Sequence, residues 1–463
     1  LFPQTSFFDF ELFQISQAES RRIDVQQRLA LNDTLKCVHM IDDANLSGIL
    51  VAISSMDHCG LDISKTGFAT DAAFSVVPGR VSFHHNLGGV SIAIDTACSS
   101  SLVAVDVARR YLRDEGNHII VYGVNVILLQ STMSLFAVTG MLADDGRCKS
   151  LDVCADGYSR AEASHACLLH SGAKQKLPTK TSGYVCSILH SIINQDGRSS
   201  ALTAPNGQAQ QRALVELLHG SRAGHVECSY LHSTGTPLGD PIEIGAYLGG
   251  LVHFESHSHA VQLEAVKCRV GHGEPASGVL TLSQVAKSLI SSNTGNVSLR
   301  VMNPLVEDRV CTHAAIVINR QCHQMEFLAD CPKFVTTSAF AFQGTNCMIA
   351  LTLGFESHNV TSVLKNLKVQ WNVDIFTPHP QIQYIPAKGL IELQFKHLHS
   401  NYLLDHTVKD TCILPNTAIL EIFLSAHAGL FSTCRVAGAA NQLTCAPIPL
   451  SSKQMHRKIH LRD

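Results

Sequence analysis

Apolar residues along the chain fall into two periods. NLSGILVAISS (45–55), VSIAIDTA (90–97) and HIIVYGVNVILL (118–129) are short, nearly unbroken apolar runs rich in β-branched residues. That is the pattern of strands buried on both faces. Between them the period lengthens: after Cys98, residues Leu102, Val105, Ala108 or Arg109, and Leu112 recur at three- to four-residue steps. One apolar stripe on a helix follows from that spacing. QAQQRALVELLHG (208–220) predicts a second amphipathic helix, closed by Gly220. Strands alternating with helices predict an α/β fold built in layers.

The pattern weakens near 353–385, where GFESHNVTSVLKNLKVQWNVDIFTPHPQIQYIPAKG is mixed, Pro-containing and without a clear period, so a linker is expected there. Beyond it, GLIELQF (389–395) and HTVKDTCILPNTAILEIFLSA (406–426) predict the strand and helix of a smaller unit. The organisation expected is therefore a large unit over 1–352, a linker over 353–385 and a partial unit over 386–463.

Composition narrows the class. The chain has 463 residues, 45% hydrophobic and 16% charged, with a net charge of −3 and mean hydropathy +0.13. This is a core-rich globular composition, long enough for two or three domains. No block of Lys or Arg points to nucleic acid or an anionic membrane. No apolar run reaches the roughly 18 residues of a membrane span. LFPQTSFFDFELF, at the start, has neither the basic segment nor the small-residue end of a signal peptide. The start also lacks a Met, which predicts a fragment of a longer chain. Sixteen cysteines without a CxxC pair predict free thiols in a reducing compartment, the cytoplasm, rather than a disulfide framework. HFESHSHA (253–260) groups three histidines without Cys partners at ligand spacing, so no zinc site is expected.

The chemistry centres on DTACSSSL (95–102). Cys98 stands where a strand turns into a helix, and a helix N-terminus favours a thiolate. The same small residues also suit a close strand–helix contact with a buried thiol. Three loops elsewhere bring polar groups of similar ambiguity. LHSTGTPLGDPIEIGA (231–246) carries His232, Thr234 and Thr236; VKCRVGHGEPASG (266–278) carries Lys267, His272 and Glu274; TTSAFAFQGTNCM (336–348) carries Phe342. Each alone has the composition of an ordinary loop.

Together and in this order, they resemble the β-ketoacyl synthase domain of type I polyketide synthases and animal-type fatty acid synthases. DTACSSSL, HSTGTPLGDPIE, VKCRVGHGEPASG and AFQGTN match the family's DTACSSSL, HGTGT-x-LGDP, K-x-x-x-GH and GFGGTN signatures. IDVQQRL (23–29), GVNVILL (123–129), DGRCKSLDVCADGYSRAE (145–162) and NQDGRSSALTAPNG (194–207) match as well, so the resemblance runs from about residue 5 to 352. It implies a thiolase-like fold of two βαβαβαββ halves stacked in layers, usually in a homodimer. It also implies Cys98 as nucleophile, His232 and His272 as the active-site histidines, and Lys267 as the motif lysine. Phe342 falls on a loop beside the pocket, with Thr234, Thr236 and Glu274 supporting. The implied reaction is a decarboxylative Claisen condensation of acyl and malonyl-type thioesters. These arrive on the phosphopantetheine arm of an acyl carrier protein, with no metal and no cofactor bound directly.

The chain departs from the pattern at several points. Ser233 replaces the first Gly after His232, Ala341 and Gln343 replace glycines of the GFGG loop, and Val25 replaces a proline. A Gln forced into positive φ would cost on the order of 1 kcal/mol or more. The family's opening strand precedes LFPQ, so the first half is expected to be truncated, losing a central strand. No GxSxG elbow supplies an acyltransferase in cis. HSNYLLDHTVKDTCILPNTAILEIFLSA (399–426) resembles the start of a dehydratase hot-dog domain. There His406, nine residues before Pro415, falls on the family's base, with Asp410 where that family has Gly. The second hot-dog half is not in the sequence, so an inactive site is expected. A catalytically dead fragment acting as a dimerising scaffold is the alternative reading. A strict thiolase fits less well, because two histidines stand in place of its second cysteine. A papain-like protease does not fit, because no Trp follows Cys98.

Overall fold

The computed structural model describes residues 8–353 except 42–43, 45–46, 58–68, 115–117, 172–185, 222–224, 254–259, 289–292, 312–315, 321–322 and 325–332, and beyond these only six short strands between 382 and 460. Residues 254–259 of the histidine cluster, His406 and most of the expected linker and hot-dog unit lie outside the described residues.

Buried apolar runs become the centres of two mixed sheets. The first contains β1 (Ser47–Ala52), β2 (Ser91–Ile94), β3 (His118–Asn125) and β4 (Ala163–His170), in the order β2-β1-β3-β4. The first three are parallel and β4 runs antiparallel to β3. Every residue of β1 and β3 is buried, as their unbroken apolar runs require. Register places Leu50 between Ile92 and Val121.

The second sheet repeats this arrangement. It contains β5 (Cys186–Gln195), β6 (Cys228–Tyr230), β7 (Val261–Glu264), β8 (Ile316–Val317), β9 (Lys333–Phe340) and β10 (Thr345–Leu353), in the order β5-β10-β9-β6-β7-β8. Strands β7, β6 and β9 are parallel, and β10 runs antiparallel to β9. From β7 to β10 the order is thus that of β2 to β4. The second sheet adds β5, antiparallel, on the outside of β10. The matching position in the first sheet lies outside β4, at an edge, while β1 and β3 pair directly. The sequence reading of a lost central strand is corrected accordingly.

Two helices fill the space between the sheets. These are α1 (Ser100–Asp114) and, after α2 (Gly207–Ser221) and α3 (Gly239–Leu251), α4 (Ser277–Ser288). Leu102, Val105 and Ala108 of α1 and Val279 and Val285 of α4 join one core cluster with Leu50 and Val121 of the first sheet and Tyr230, Val335 and Ile349 of the second. Ala108 takes the apolar stripe that the sequence left open. Arg109 turns aside, its Nε donating to Ser191 Oγ at 2.6 Å. On the outer face of the second sheet, α2 and α3 pack through Leu214, Leu217, Ile244 and Leu248. Helices Val25–Val38 and Val76–His85 cover the first sheet's outer face through Leu29, Val77 and Val81 against Ile49 and Val51. The layering is helix, sheet, helix, sheet, helix, the thiolase-like α/β arrangement. No helix among the described residues is long and apolar enough to cross a membrane.

Candidate active site

The site forms where the two inner helices meet end to end. Ser101 Oγ accepts the backbone N–H groups of Gly278 at 2.9 Å and Val279 at 3.2 Å, and Ser277 Oγ donates to the Cys98 carbonyl at 3.3 Å. The approach depends on small residues. A Cβ on Gly278 would stand 2.6 Å from Leu102 Cγ, and one on Gly123 would stand 2.9 Å from Ala276 Cα. The loops before α1 and α4, with Cys98 on one and His272 on the other, are thereby brought together.

Cys98 sits in a single 3-10 turn, Ala97–Ser99, between β2 and α1. Ala97 is left-handed at φ 52, a conformation L side chains rarely adopt, and its N–H donates to Asp95 Oδ1 at 2.9 Å. Cys98 is partly exposed, yet enclosed closely enough that its thiol is pushed up to about 12. Burial is the main cause and the Glu274 charge adds to it, while Lys267 and the Cys98 backbone N–H pull the other way. The sequence expectation of a thiolate favoured by the helix N-terminus is not met: burial and the Glu274 charge raise the thiol instead.

His232 follows β6, and Glu243 of α3 organises its loop. Glu243 Oε1 accepts the backbone N–H of His232 at 2.7 Å and the hydroxyl of Ser338 at 2.8 Å, and Oε2 accepts the N–H of Ser233 at 2.7 Å. Asp240 holds the next turn. It accepts the N–H of Leu151 at 2.7 Å and of Gly235 at 3.1 Å, and burial pushes its carboxyl up to about 7. Gly235 is required here: at φ 84 a Cβ would lie 2.7 Å from the Lys149 nitrogen. Ser233, in the place of a family glycine, stands at φ 20, the edge of the left-handed region. Thr234 is buried in this turn, and Thr236 Oγ1 lies where a Cβ on Gly239 would come within 2.3 Å.

His272 is fully buried, and its backbone pairs with the strand-like stretch at Arg160. The rings of His232 and His272 meet edge to face at 5.5 Å, with Phe340 5.7 Å from His232. Burial and the positive charge of Lys267 hold both imidazoles well below the ordinary value, so both are neutral at pH 7. Glu274 donates its backbone N–H to His272 Nδ1 at 3.3 Å. The proton of a neutral ring then resides on Nε2, which is buried and has no hydrogen-bond partner among the described residues. It is a donor waiting for an acceptor.

Lys267 opens a short helix, Lys267–Val270, after β7 and is itself buried. Burial lowers its pKa, against the raising charge of Glu243 first and Cys98 next. Glu274, grouped with Lys267 on sequence grounds, instead forks with Arg160 at 2.7 and 2.9 Å. Phe342 is 43% exposed on a tight turn in which Gly344 N–H donates to the Ala341 carbonyl at 2.8 Å. The left-handed residue of that turn is Gly344, at φ 93; Gln343 does not carry positive φ, so the expected strain there is absent. Asp196 steadies the turn from the NQDG stretch: Asn346 Nδ2 donates to its Oδ1 at 2.8 Å and its N–H reaches the Gly344 carbonyl at 2.9 Å.

Of the groups named from the sequence, His232 and His272 lie ring to ring and the Lys267 charge acts on both and on Cys98; the carboxylates Asp240 and Glu243 and the arginine that hold this arrangement were not named. Arg160, Glu243 and Asp240 all lay inside quoted motifs. Their partners, 114 residues away for Arg160, carry no local signal.

Comparisons with known proteins agree with this geometry. Two family profiles match: "Beta-ketoacyl synthase, N-terminal domain" over residues 2–175 and "Beta-ketoacyl synthase, C-terminal domain" over 185–294, together more than half of the chain. Polyketide synthase GfsA of Streptomyces halstedii is 31% identical over 360 residues, 74% of this chain and 5% of that protein. Erythronolide synthase EryA3 of Saccharopolyspora erythraea is 31% identical over 358 residues, 74% of this chain and 11% of that protein. The chain therefore spans a small part of the curated relatives it matches. Among solved structures, the oxazolomycin ketosynthase domain OzmH KS7 of Streptomyces albus JA3453 superposes with a TM-score of 0.67 at 27% identity, covering 76% of this chain and 63% of that one. The module 6 ketosynthase of the Bacillus subtilis 168 bacillaene synthase shares the fold at a TM-score of 0.69 and 21% identity, over 93% of this chain and 81% of that one.

Proposed function

The chain belongs to the β-ketoacyl synthase family, and on that premise we propose that it condenses acyl and malonyl-type thioesters within a polyketide synthase, with Cys98 as nucleophile. The observation that carries this reading is the buried, unpartnered Nε2–H of His272 beside His232, with the Lys267 charge acting on both rings and on Cys98. Two neutral imidazoles next to a cysteine suit a reaction that develops negative charge on a thioester oxygen.

Acyl transfer comes first. Cys98 rests as a thiol, so attack on the incoming thioester needs a base in the same step. His232, neutral because burial and Lys267 depress it, accepts that proton. As the new C–S bond to Cys98 forms, the C–S bond to the carrier breaks and His232 returns the proton to the departing carrier thiol. Backbone N–H groups of Cys98 and Phe342 are suited to hold the tetrahedral oxygen.

Condensation follows. The malonyl-type thioester loses carbon dioxide, and the electron pair of the broken C–C bond becomes an enolate whose oxygen accepts from His272 Nε2–H and from His232. The carbanion attacks the acyl carbonyl on Cys98, forming the new C–C bond and expelling the Cys98 thiolate, which takes a proton from water. Carrying over the whole synthase's partners, the thioesters are presented on the phosphopantetheine arm of an acyl carrier protein, and the chain works as a homodimer.

Intact mass spectrometry after incubation with a short acyl thioester tests the reading. The expected result is one added acyl group, mapped to Cys98 and absent in Cys98→Ala. A wild-type chain that stays unacylated would replace the condensing reading with that of a scaffold without turnover.

A further inference from the structure

Behind His272 lies a charged cluster that the proposed chemistry does not use. Arg160 is 1% exposed, yet it lies among apolar and aromatic groups. Its Nε and Nη2 donate to Glu274 Oε1 and Oε2 at 2.7 and 2.9 Å, its Nη1 lies 3.2 Å from Met133 Sδ, and its guanidinium stacks 4.9 Å over the Phe136 ring. Tyr158 donates its hydroxyl to Glu274 Oε1 at 3.3 Å while its ring meets His272 edge to face at 5.0 Å. The backbones interlock as well: His272 N–H donates to the Ser159 carbonyl at 2.8 Å and Ala161 N–H to the His272 carbonyl at 2.9 Å.

Glu274 is the unusual member. It is left-handed at φ 46, and it stands directly before Pro275, where backbone choices are restricted further. A non-glycine residue keeps such a conformation only when its surroundings over-determine it. A planar, bidentate guanidinium that grips both carboxylate oxygens is such a constraint. The backbone N–H that this conformation presents is the one on His272 Nδ1.

We propose that Arg160 is a positioning residue: its fork on Glu274 fixes the backbone turn whose N–H caps His272 Nδ1, and so keeps His272 as an Nε2–H donor. The role of that donor in decarboxylation rests on the condensing reading; the tautomer itself does not. Lysine in place of Arg160 keeps the charge but offers a single point of contact, so it restores the clamp only in part.

The test uses the whole chain with 15N-labelled histidine, the His272 signals being identified by their loss in His272→Gln. In the wild type one tautomer is expected, with Nδ1 unprotonated. Arg160→Met is expected to give a mixture of both tautomers. Its kcat for malonyl-thioester decarboxylation should fall about 10- to 100-fold, with KM and the rate of Cys98 acylation within about twofold. Arg160→Lys should recover part of the decarboxylation rate. Because Arg160→Met leaves a buried carboxylate unpaired, Arg160→Met/Glu274→Met, with neither charge, carries the same test where the single variant does not fold. A single Nε2–H tautomer persisting in either variant overturns the clamp, as does an unchanged decarboxylation rate with normal wild-type turnover. A wild type that neither acylates nor decarboxylates overturns the condensing reading, and the tautomer comparison still decides the clamp.

Discussion

The two halves share one strand order but divide the chemistry unequally. From β2 through β4, and again from β7 through β10, three parallel strands are followed by one antiparallel strand. The first half brings one candidate reacting group, Cys98, on a turn with left-handed Ala97. The second brings His232, Lys267, His272 and the carboxylates of Asp240, Glu243 and Glu274. One contributor crosses from the first half: Arg160, just before β4, serves a loop of the second. Repetition of a fold therefore fixes where loops meet, while side chains decide what each loop does. The sheets differ at their margins too, since β5 covers the outside of β10 and no described strand covers β4.

The sharpest way to break this division is to silence one half at a time. Cys98→Ala is expected to abolish the covalent acyl group while malonyl-thioester decarboxylation persists, because the oxyanion donors lie in the other half. His272→Ala should do the reverse: acylation stays within a few fold and decarboxylation falls about 10²- to 10³-fold. Mass spectrometry and carbon dioxide release measure the two separately, and loss of both activities in either variant would dissolve the division.

Wedging the halves apart should have a smaller effect. Gly278→Ala puts a methyl 2.6 Å from Leu102 Cγ and 2.7 Å from Ser101 Oγ, within a packed junction. About 1–3 kcal/mol of stability should be lost, read by urea unfolding, with both partial activities reduced together.

The smallest expected effect is on pH dependence. His232 and His272 are neutral in the fold with lowered pKa values. Unfolding returns each to about 6.5, so below that pH the unfolded chain binds more protons and stability falls as pH drops. Each histidine contributes up to about 1.4 kcal/mol per pH unit. Asp24 and Asp240, raised to about 6 and about 7, act in the opposite sense by binding protons in the fold. The clean measurement is a difference: between pH 7 and 5, the stability of His272→Gln should fall less steeply than that of the wild type.

Much of this was legible in the sequence, for definable reasons. Strands β1 and β3 announced themselves because both of their faces are buried, β2 through its apolar run although it is partly exposed at the sheet edge, and the stripe Leu102, Val105, Ala108, Leu112 because α1 packs between two sheets. Cys98, His232, Lys267 and His272 were legible through ordered motifs. Arg160 with Glu274 and Glu243 with His232 were not, because burial and pairing across folded distance decide their roles, and neither has a period. The state of Cys98 was misread for a related reason. A helix N-terminus is visible in sequence, whereas the protein that displaces water around a sulfur is not.

That raised thiol has a consequence for how the protein endures its surroundings. At pH 7 a thiol that burial pushes up to about 12 is held protonated. Oxidants and electrophiles attack thiolates, so a protonated Cys98 is a poorer target for adventitious damage than a thiolate. Among the described cysteines, reagents that modify thiols will meet the exposed Cys154 and Cys311 before Cys98. On the condensing reading proposed above, such a protonated thiol reacts only where a neighbouring base takes its proton.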